Sequence, residues 1–157
     1  MAVARFYHLT QDPLEGLLPV LIGKAFEGGL RVALRGSDPA RMTALDSQLW
    51  RGDGFLPHGL AGGPHDADQP ALLCSDDRPA PDLPNQPGCL ITLDAAPVGA
   101  DEAQALERLC IVFDGLDPQA VEAARGQWRA LTQAGVAAEY WSRASGRWTC
   151  EARHPKE

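Results

Sequence analysis

The 157-residue chain carries a formal net charge of −7, is 45% hydrophobic and holds four cysteines. That length suits one domain with a core that needs no covalent staples. No window offers the roughly 18 consecutive apolar residues of a membrane span, and the opening MAVARFYHLT lacks the apolar stretch of a secretory signal, so a cytoplasmic protein is expected. The acidity is local: residues 61–102 hold eight acids against Arg78, a balance of −7, whereas residues 121–149 hold four arginines against two glutamates, a balance of +2. Such a distribution disfavours broad binding to a phosphate backbone and allows a small basic patch for one acidic partner.

In chain order, residues 3–9 read as a strand, 13–28 as a helix stopped by Gly28-Gly29, and 31–35 as a second strand. A helix over 38–50 follows, with Pro39 where a helix can begin and Met42, Leu45 and Leu49 at helical spacing. After a loop rich in Gly, Pro and Asp, residues 71–75 and 89–93 read as short buried strands. The segment 76–88 between them is proline-rich and aperiodic, and is expected to be an exposed or mobile loop. Residues 100–107 make a short helix, 108–113 an apolar strand, 117–134 a long helix and 136–142 another strand. The tail could return as a hairpin through Ser145-Gly146, with a frayed end over 150–157. Strands separated by helices imply parallel pairing. The expected fold is a single α/β domain, a three-layer α/β/α sandwich with a mostly parallel, Rossmann-like sheet.

Chemistry-bearing motifs are sparse. Cys74, Cys89, Cys110 and Cys150 lie far apart with no C-x-x-C pair, and His8, His58, His65 and His154 do not cluster near them, so buried reduced thiols are expected. A Rossmann-like sheet raises the possibility of a nucleotide-binding enzyme. The turn after the first strand, Thr10-Gln11-Asp12-Pro13-Leu14-Glu15, has no G-x-G-x-x-G, and the turn after the second reads Gly36-Ser37-Asp38-Pro39. The acids at these two helix starts read as N-caps. No H-E-x-x-H or G-x-S-x-G is present.

Two surfaces could bind a partner. The stretch Leu45 to Gly62, LDSQLWRGDGFLPHGLAG, places Trp50 and Phe55 on either side of a helix-to-loop corner with Leu56, Pro57 and His58. Those rings either bury themselves against the end of the sheet or form the centre of an interface, where aromatic side chains commonly dominate binding. His58 is either a partner contact or general base, or a ring hydrogen-bonded to the loop backbone. On the helix over 117–134, Val121, Ala124, Trp128 and Leu131 form one apolar stripe with Arg125 and Arg129 on its border. An aromatic wall beside two guanidinium groups suits a short acidic peptide with an apolar end; the competing reading is a core tryptophan beside two solvated arginines.

These segments also carry a family resemblance. A Leu45-Asp46-x-x-Leu49-Trp50 helix end followed by Phe55-x-Pro57-His58-x-Leu60-Ala61-Gly62, the strand with Phe6-Tyr7-His8-Leu9, and the helix with Arg125, Trp128, Arg129 and Ala134-Gly135 resemble the chi subunit of bacterial DNA polymerase III holoenzyme over residues 3–141. The resemblance implies a non-catalytic accessory subunit of the cytoplasmic replisome, without cofactor or metal and with little direct nucleic-acid binding. It implies that Trp50, Phe55, Leu56, Pro57 and His58 face the psi subunit, which links chi to the clamp loader. It also implies that Phe113, Arg125, Trp128 and Arg129 receive the C-terminal tail of single-stranded DNA-binding protein, an acidic segment ending in Pro-Phe. Two departures from the family pattern, Val121 in place of a basic residue and Asp114 in place of an apolar one, are expected to weaken that second contact.

Overall fold

The computed structural model describes residues 3–10, 14–51, 56–75, 78–94, 96–143 and 146–155, with Glu15 described by its backbone alone. Short β-branched and leucine-rich runs become strands buried on both faces, and stretches with helical spacing become the layers that cover them. The elements are β1 (Ala4–Leu9), α1 (Leu14–Glu27), β2 (Val32–Arg35), α2 (Pro39–Arg51), β3 (Gly59–Leu60), β4 (Ala71–Cys74), β5 (Cys89–Thr92), α3 (Ala100–Ala105), β6 (Arg108–Asp114), α4 (Pro118–Gln133), β7 (Ala138–Ser142) and β8 (Thr149–His154). The eight strands form one sheet in the order β3-β4-β2-β5-β6-β1-β7-β8, parallel throughout except for the final antiparallel pair.

The helices divide between the two faces. Leu72, Leu90, Leu109, Ile111 and Phe6 pack with Ala103, Ala124 and Leu131 of α3 and α4. Leu34, Leu73, Ile91 and Val112 pack with Leu18, Ile22, Leu45 and Leu49 of α1 and α2. The fold is therefore the expected three-layer α/β sandwich. Excursions toward β3 carry their helices on one face and excursions toward β7 on the other, as right-handed crossovers require.

Local chemistry explains the helix ends. At the end of α1, Gly29 takes φ +76 while Gly29 N–H donates to Phe26 O (2.9 Å) and Leu30 N–H to Ala25 O (2.9 Å). At the end of α4, Gly135 takes φ +90 while its N–H donates to Thr132 O (3.1 Å) and Val136 N–H to Leu131 O (3.0 Å). Both are Schellman closures, in which glycine occupies a left-handed position that other residues resist. Asp38 caps α2 by accepting from Ala40 N (3.0 Å), and Asp117 caps α4 by accepting from Gln119 N (3.0 Å). The other expected N-cap, Asp12, lies outside the described residues.

Three expectations are corrected. The Gly-Pro-rich stretch after α2 contains a two-residue edge strand, β3, paired with β4. The proline-rich segment is not loose over its described part, 78–88, where exposed positions alternate with buried anchors: Ala80, Leu83 and Asn85 are buried, and Asn85 Nδ2 donates to the carbonyls of Val32 and Gln69, both at 3.1 Å. Prolines that cannot enter a ladder still allow a chain to pack when a buried amide supplies the hydrogen bonds they lack. The end expected to fray is β8, whose polar side chains contribute little burial; its antiparallel ladder with β7 satisfies the backbone instead. Gly146, with φ +90, lies in the connection between them, while Ser145 is outside the described residues.

An ion pair ties the parts together at the carboxyl end of β2. Arg35, only 3% exposed, donates to both carboxylate oxygens of Glu102 (2.9 and 2.6 Å) and to the carbonyls of Pro97 (3.0 Å) and Arg78 (2.7 Å). Glu102 also accepts from Ala80 N at 2.6 Å. Removing one partner of a buried pair costs about 3–5 kcal/mol because the other charge is stranded. Glu102→Ala is therefore expected to lower unfolding free energy by about that amount in urea titration, while Arg35→Met with Glu102→Leu restores much of the loss. Near-wild-type stability of the single variant would show that water reaches Arg35.

Candidate functional site

Strand alternation and the pitch of α4 converge on one cleft. Phe6 of β1 and Tyr140 of β7 are register partners on neighbouring strands, and Phe113 of β6 points from the same face of the sheet. Above them α4 presents Val121, Ala124 and Trp128, with Arg125 and Arg129 at the rim. Together these residues line a cavity of about 240 Å³. All four residues expected to receive an acidic tail, Phe113, Arg125, Trp128 and Arg129, are thus brought to one place.

Trp128 meets both expectations at once. Its ring packs edge-on against Phe6 at a centroid distance of 5.3 Å, anchored in the core, while its remaining surface walls the cleft. Arg125 and Arg129 are exposed, and Arg129 pairs loosely with Glu122 at 3.6 Å, an exposed contact of the weakly stabilising kind. Thr132 Oγ1 donates to Trp128 O at 2.7 Å. Val121 forms part of the apolar lining. Asp114 is not among the lining residues; its carboxylate accepts from Leu116 N at 2.9 Å and turns the chain toward α4.

The sequence reading missed Phe6 and Tyr140 as cleft residues. The only signal was that each sits at an inward position of a strand; which strands lie side by side cannot be read from period alone. Tyr140 hydroxyl is bonded to His8 Nδ1, and burial raises its pKa above the ordinary phenol value, opposed by the nearby Arg125 guanidinium.

The second surface lies at the end of α2, on the opposite face of the sheet. Trp50 is 51% exposed and stacks on His58, with centroids 4.1 Å apart and planes 30° from parallel. His58 is 3% exposed, its Nδ1 lying 2.7 Å from Leu56 O and its Nε2 3.1 Å from Asp46 O and 3.2 Å from Asp46 Oδ1. The buried imidazole thus sits between the loop backbone and the end of the helix, with acceptors facing both of its nitrogens. Leu56 packs partly on the core and Pro57 is partly buried. Phe55 lies outside the described residues.

Doubly wound sheets receive ligands outside the carboxyl ends of strands whose helices leave to opposite faces. Here those places are between β2 and β5 and between β1 and β6. Arg35, Glu102 and their carbonyl partners fill the first. At the second, Gly115 N–H donates to Leu9 O at 2.6 Å, and a Cβ on Gly115 would stand 1.8 Å from His8 Nε2 and 2.7 Å from Leu9 O. The chain itself occupies both crevices. Among the described residues, no cluster of three or more His, Cys, Asp or Glu could hold a metal ion, and no helix is long and apolar enough to cross a membrane. Cys74, Cys89 and Cys110 are buried and Cys150 is partly buried.

A doubly wound α/β domain with filled ligand crevices and a cationic, aromatic cleft over β1, β6 and β7 is the class that the structure defines. The chain belongs to the DNA polymerase III chi subunit family (HolC), whose model matches residues 1–139. No curated protein matches the chain.

Burial holds the His8 imidazole below its ordinary value of 6.5, with the Asp114 carboxylate opposing. A depressed histidine favours the neutral ring in the folded state. Its contribution is complete above the unfolded value and is lost as the pH falls through the folded one. Chemical denaturation at about pH 7.5 and about pH 5.5 is expected to show lower stability at the acid end, with a smaller difference in His8→Gln. An identical pH slope in that variant would place the titration elsewhere.

Proposed function

We propose that the chain is a non-catalytic accessory subunit of the replicative polymerase. In this reading it tethers the clamp-loader assembly, through a psi subunit, to the C-terminal tail of single-stranded DNA-binding protein in the cytoplasmic replisome. Family membership supplies the setting. The observation that carries the tail assignment is the cleft, where an apolar floor of Phe6, Phe113 and Trp128 lies beneath Arg125 and Arg129. A Pro-Phe terminus fits its ring into that floor, and the preceding acids pair with the guanidinium groups. The filled crevices favour an adaptor over a nucleotide-binding enzyme.

Val121 supplies no charge for the tail, so recognition rests on two arginines and the aromatic floor. Asp114 is committed to its own turn and is a smaller hindrance than its charge suggests. A fluorescent peptide copying the acidic Pro-Phe tail is expected to bind. Because charge-assisted hydrogen bonds contribute about 1.5–3 kcal/mol, Arg129→Glu should weaken it roughly tenfold or more, as should removal of the terminal Phe. Equal binding in all three titrations would sink the tail assignment.

The half-exposed Trp50, held flat by His58, supports the corner as the face for psi. Hot-spot aromatics cost about 2 kcal/mol or more when truncated. Trp50→Ala and Phe55→Ala are expected to abolish co-purification with a psi partner while retaining the wild-type thermal transition. Retention of the partner by both variants, or loss of the fold, would return these rings to a role within the monomer.

A further inference from the structure

Strands β1 and β7 face two ways. Phe6 and Tyr140 enter the cleft under α4, whereas Arg5, Tyr7 and Trp141 enter a larger groove on the reverse of the sheet, between α1 and the β7–β8 hairpin, with a volume of about 830 Å³. This is within the size range of ligand clefts. Its cations come from four separate places: Arg5 on β1, Lys24 on α1, Arg108 on β6, and Arg143 and Arg147 around the hairpin. Among the described residues Glu27 is the one acid in the lining, and Glu139 sits alongside, 3.3 Å from Arg5. In a chain of net charge −7, five cations around one groove form a local inversion of the field.

The groove is also aromatic. Trp141 and Trp148 line it with Tyr7, whose ring meets Trp148 edge-on at 5.5 Å. Trp141 Nε1 donates to Glu139 at 3.1 Å, which fixes the indole. Both tryptophans lie beyond residue 139, where the family match ends.

We propose that this groove binds a short segment of single-stranded nucleic acid, with phosphates on the cations and bases against the tryptophans. Dispersed cations track a backbone, and flat rings stack on bases of any sequence. A purely acidic peptide, without apolar side chains, would use the charges and leave the indole faces unused. The cations, spread over four places rather than paired at one rim, fit a phosphate backbone better than a short peptide end. A duplex, with its bases paired inward, offers the indoles nothing to stack on. The overall acidity that argues against broad nucleic-acid binding keeps this contact weak, local and sensitive to salt. The proposal does not depend on the tail reading, because the two sites occupy opposite faces of the sheet.

The test is fluorescence anisotropy of a labelled oligothymidylate over a salt series with the full chain. Three or four phosphate contacts at about 0.7 per contact predict a log–log slope of about −2 to −3. Lys24→Glu and Arg147→Glu should each weaken binding roughly tenfold at low salt, and Trp141→Ala at least about fivefold. Lys24 is exposed on α1, so its variant still reports on the groove if a tryptophan variant fails to fold. Arg129→Glu should leave strand binding unchanged while losing the tail peptide, which separates failure of one site from failure of the other. Absence of salt-dependent binding, or wild-type affinity in Lys24→Glu and Arg147→Glu, would overturn the proposal. So would a polyglutamate peptide that displaces the oligonucleotide at equal concentration, which would make the groove a peptide site.

Discussion

A guanidinium cannot shed its proton, so an arginine ending a central strand inside a sandwich must be matched by fixed acceptors. Arg35 is matched by Glu102 from α3 and by the carbonyls of Pro97 and Arg78. Glu102 in turn accepts from Ala80 N. One charge therefore sets where α3 begins, how the chain leaves β5, and where the proline-rich segment lies against the sheet. Replacing such a pair by apolar residues of similar volume can be neutral. Its contribution is to specify where three otherwise weakly determined segments pack.

That use of Arg35 has a consequence for function. The carboxyl end of β2 and β5 is where a doubly wound sheet would otherwise receive a ligand, and the close approach of Gly115 to His8 and Leu9 takes the corresponding place beside β1. With both crevices filled, side chains of contrasting chemistry reach solvent on the flanks of the sheet. The cleft beneath α4 and the stacked Trp50–His58 corner are both of this kind.

Elements defined by local chemistry were legible in the sequence. Gly28-Gly29 marks its helix end because the closure requires a left-handed residue, and Asp38 marks a helix start because a carboxylate satisfies an otherwise unpaired N–H; in the structure Gly135 and Asp117 do the same for α4. The stripe on α4 was legible because helical spacing brings Val121, Ala124 and Trp128 to one side. Elements defined by lateral partners were less so. β3 is too short and glycine-bearing to show alternation, β8 was legible as the return of a hairpin but not in its order out to His154, which its ladder with β7 supplies, and the 78–88 segment is held by Asn85 reaching Val32 and Gln69 across the fold. The same limit hid Phe6 and Tyr140, which meet only because β1 and β7 are neighbours.

The neighbouring of β1 and β7 is also what gives the sheet two unlike faces at one end. Successive side chains on a strand point to opposite sides, so Arg5, Phe6 and Tyr7 alternate between the groove and the cleft, and so do Tyr140 and Trp141. A one-residue slip in β7 would exchange those sets, turning Glu139 and Trp141 under α4 and Tyr140 toward the groove. Register is held against that slip by Ala138 and Tyr140, which pack on the α4 side of the core, and by Glu139, which bonds Arg5 and Arg153 on the other side. A contact of modest affinity on either face gains from the other whenever both ligands belong to one assembly, because the second engagement is then intramolecular and governed by effective concentration. Neither face has to bind tightly for a sheet of this design to act as a tether.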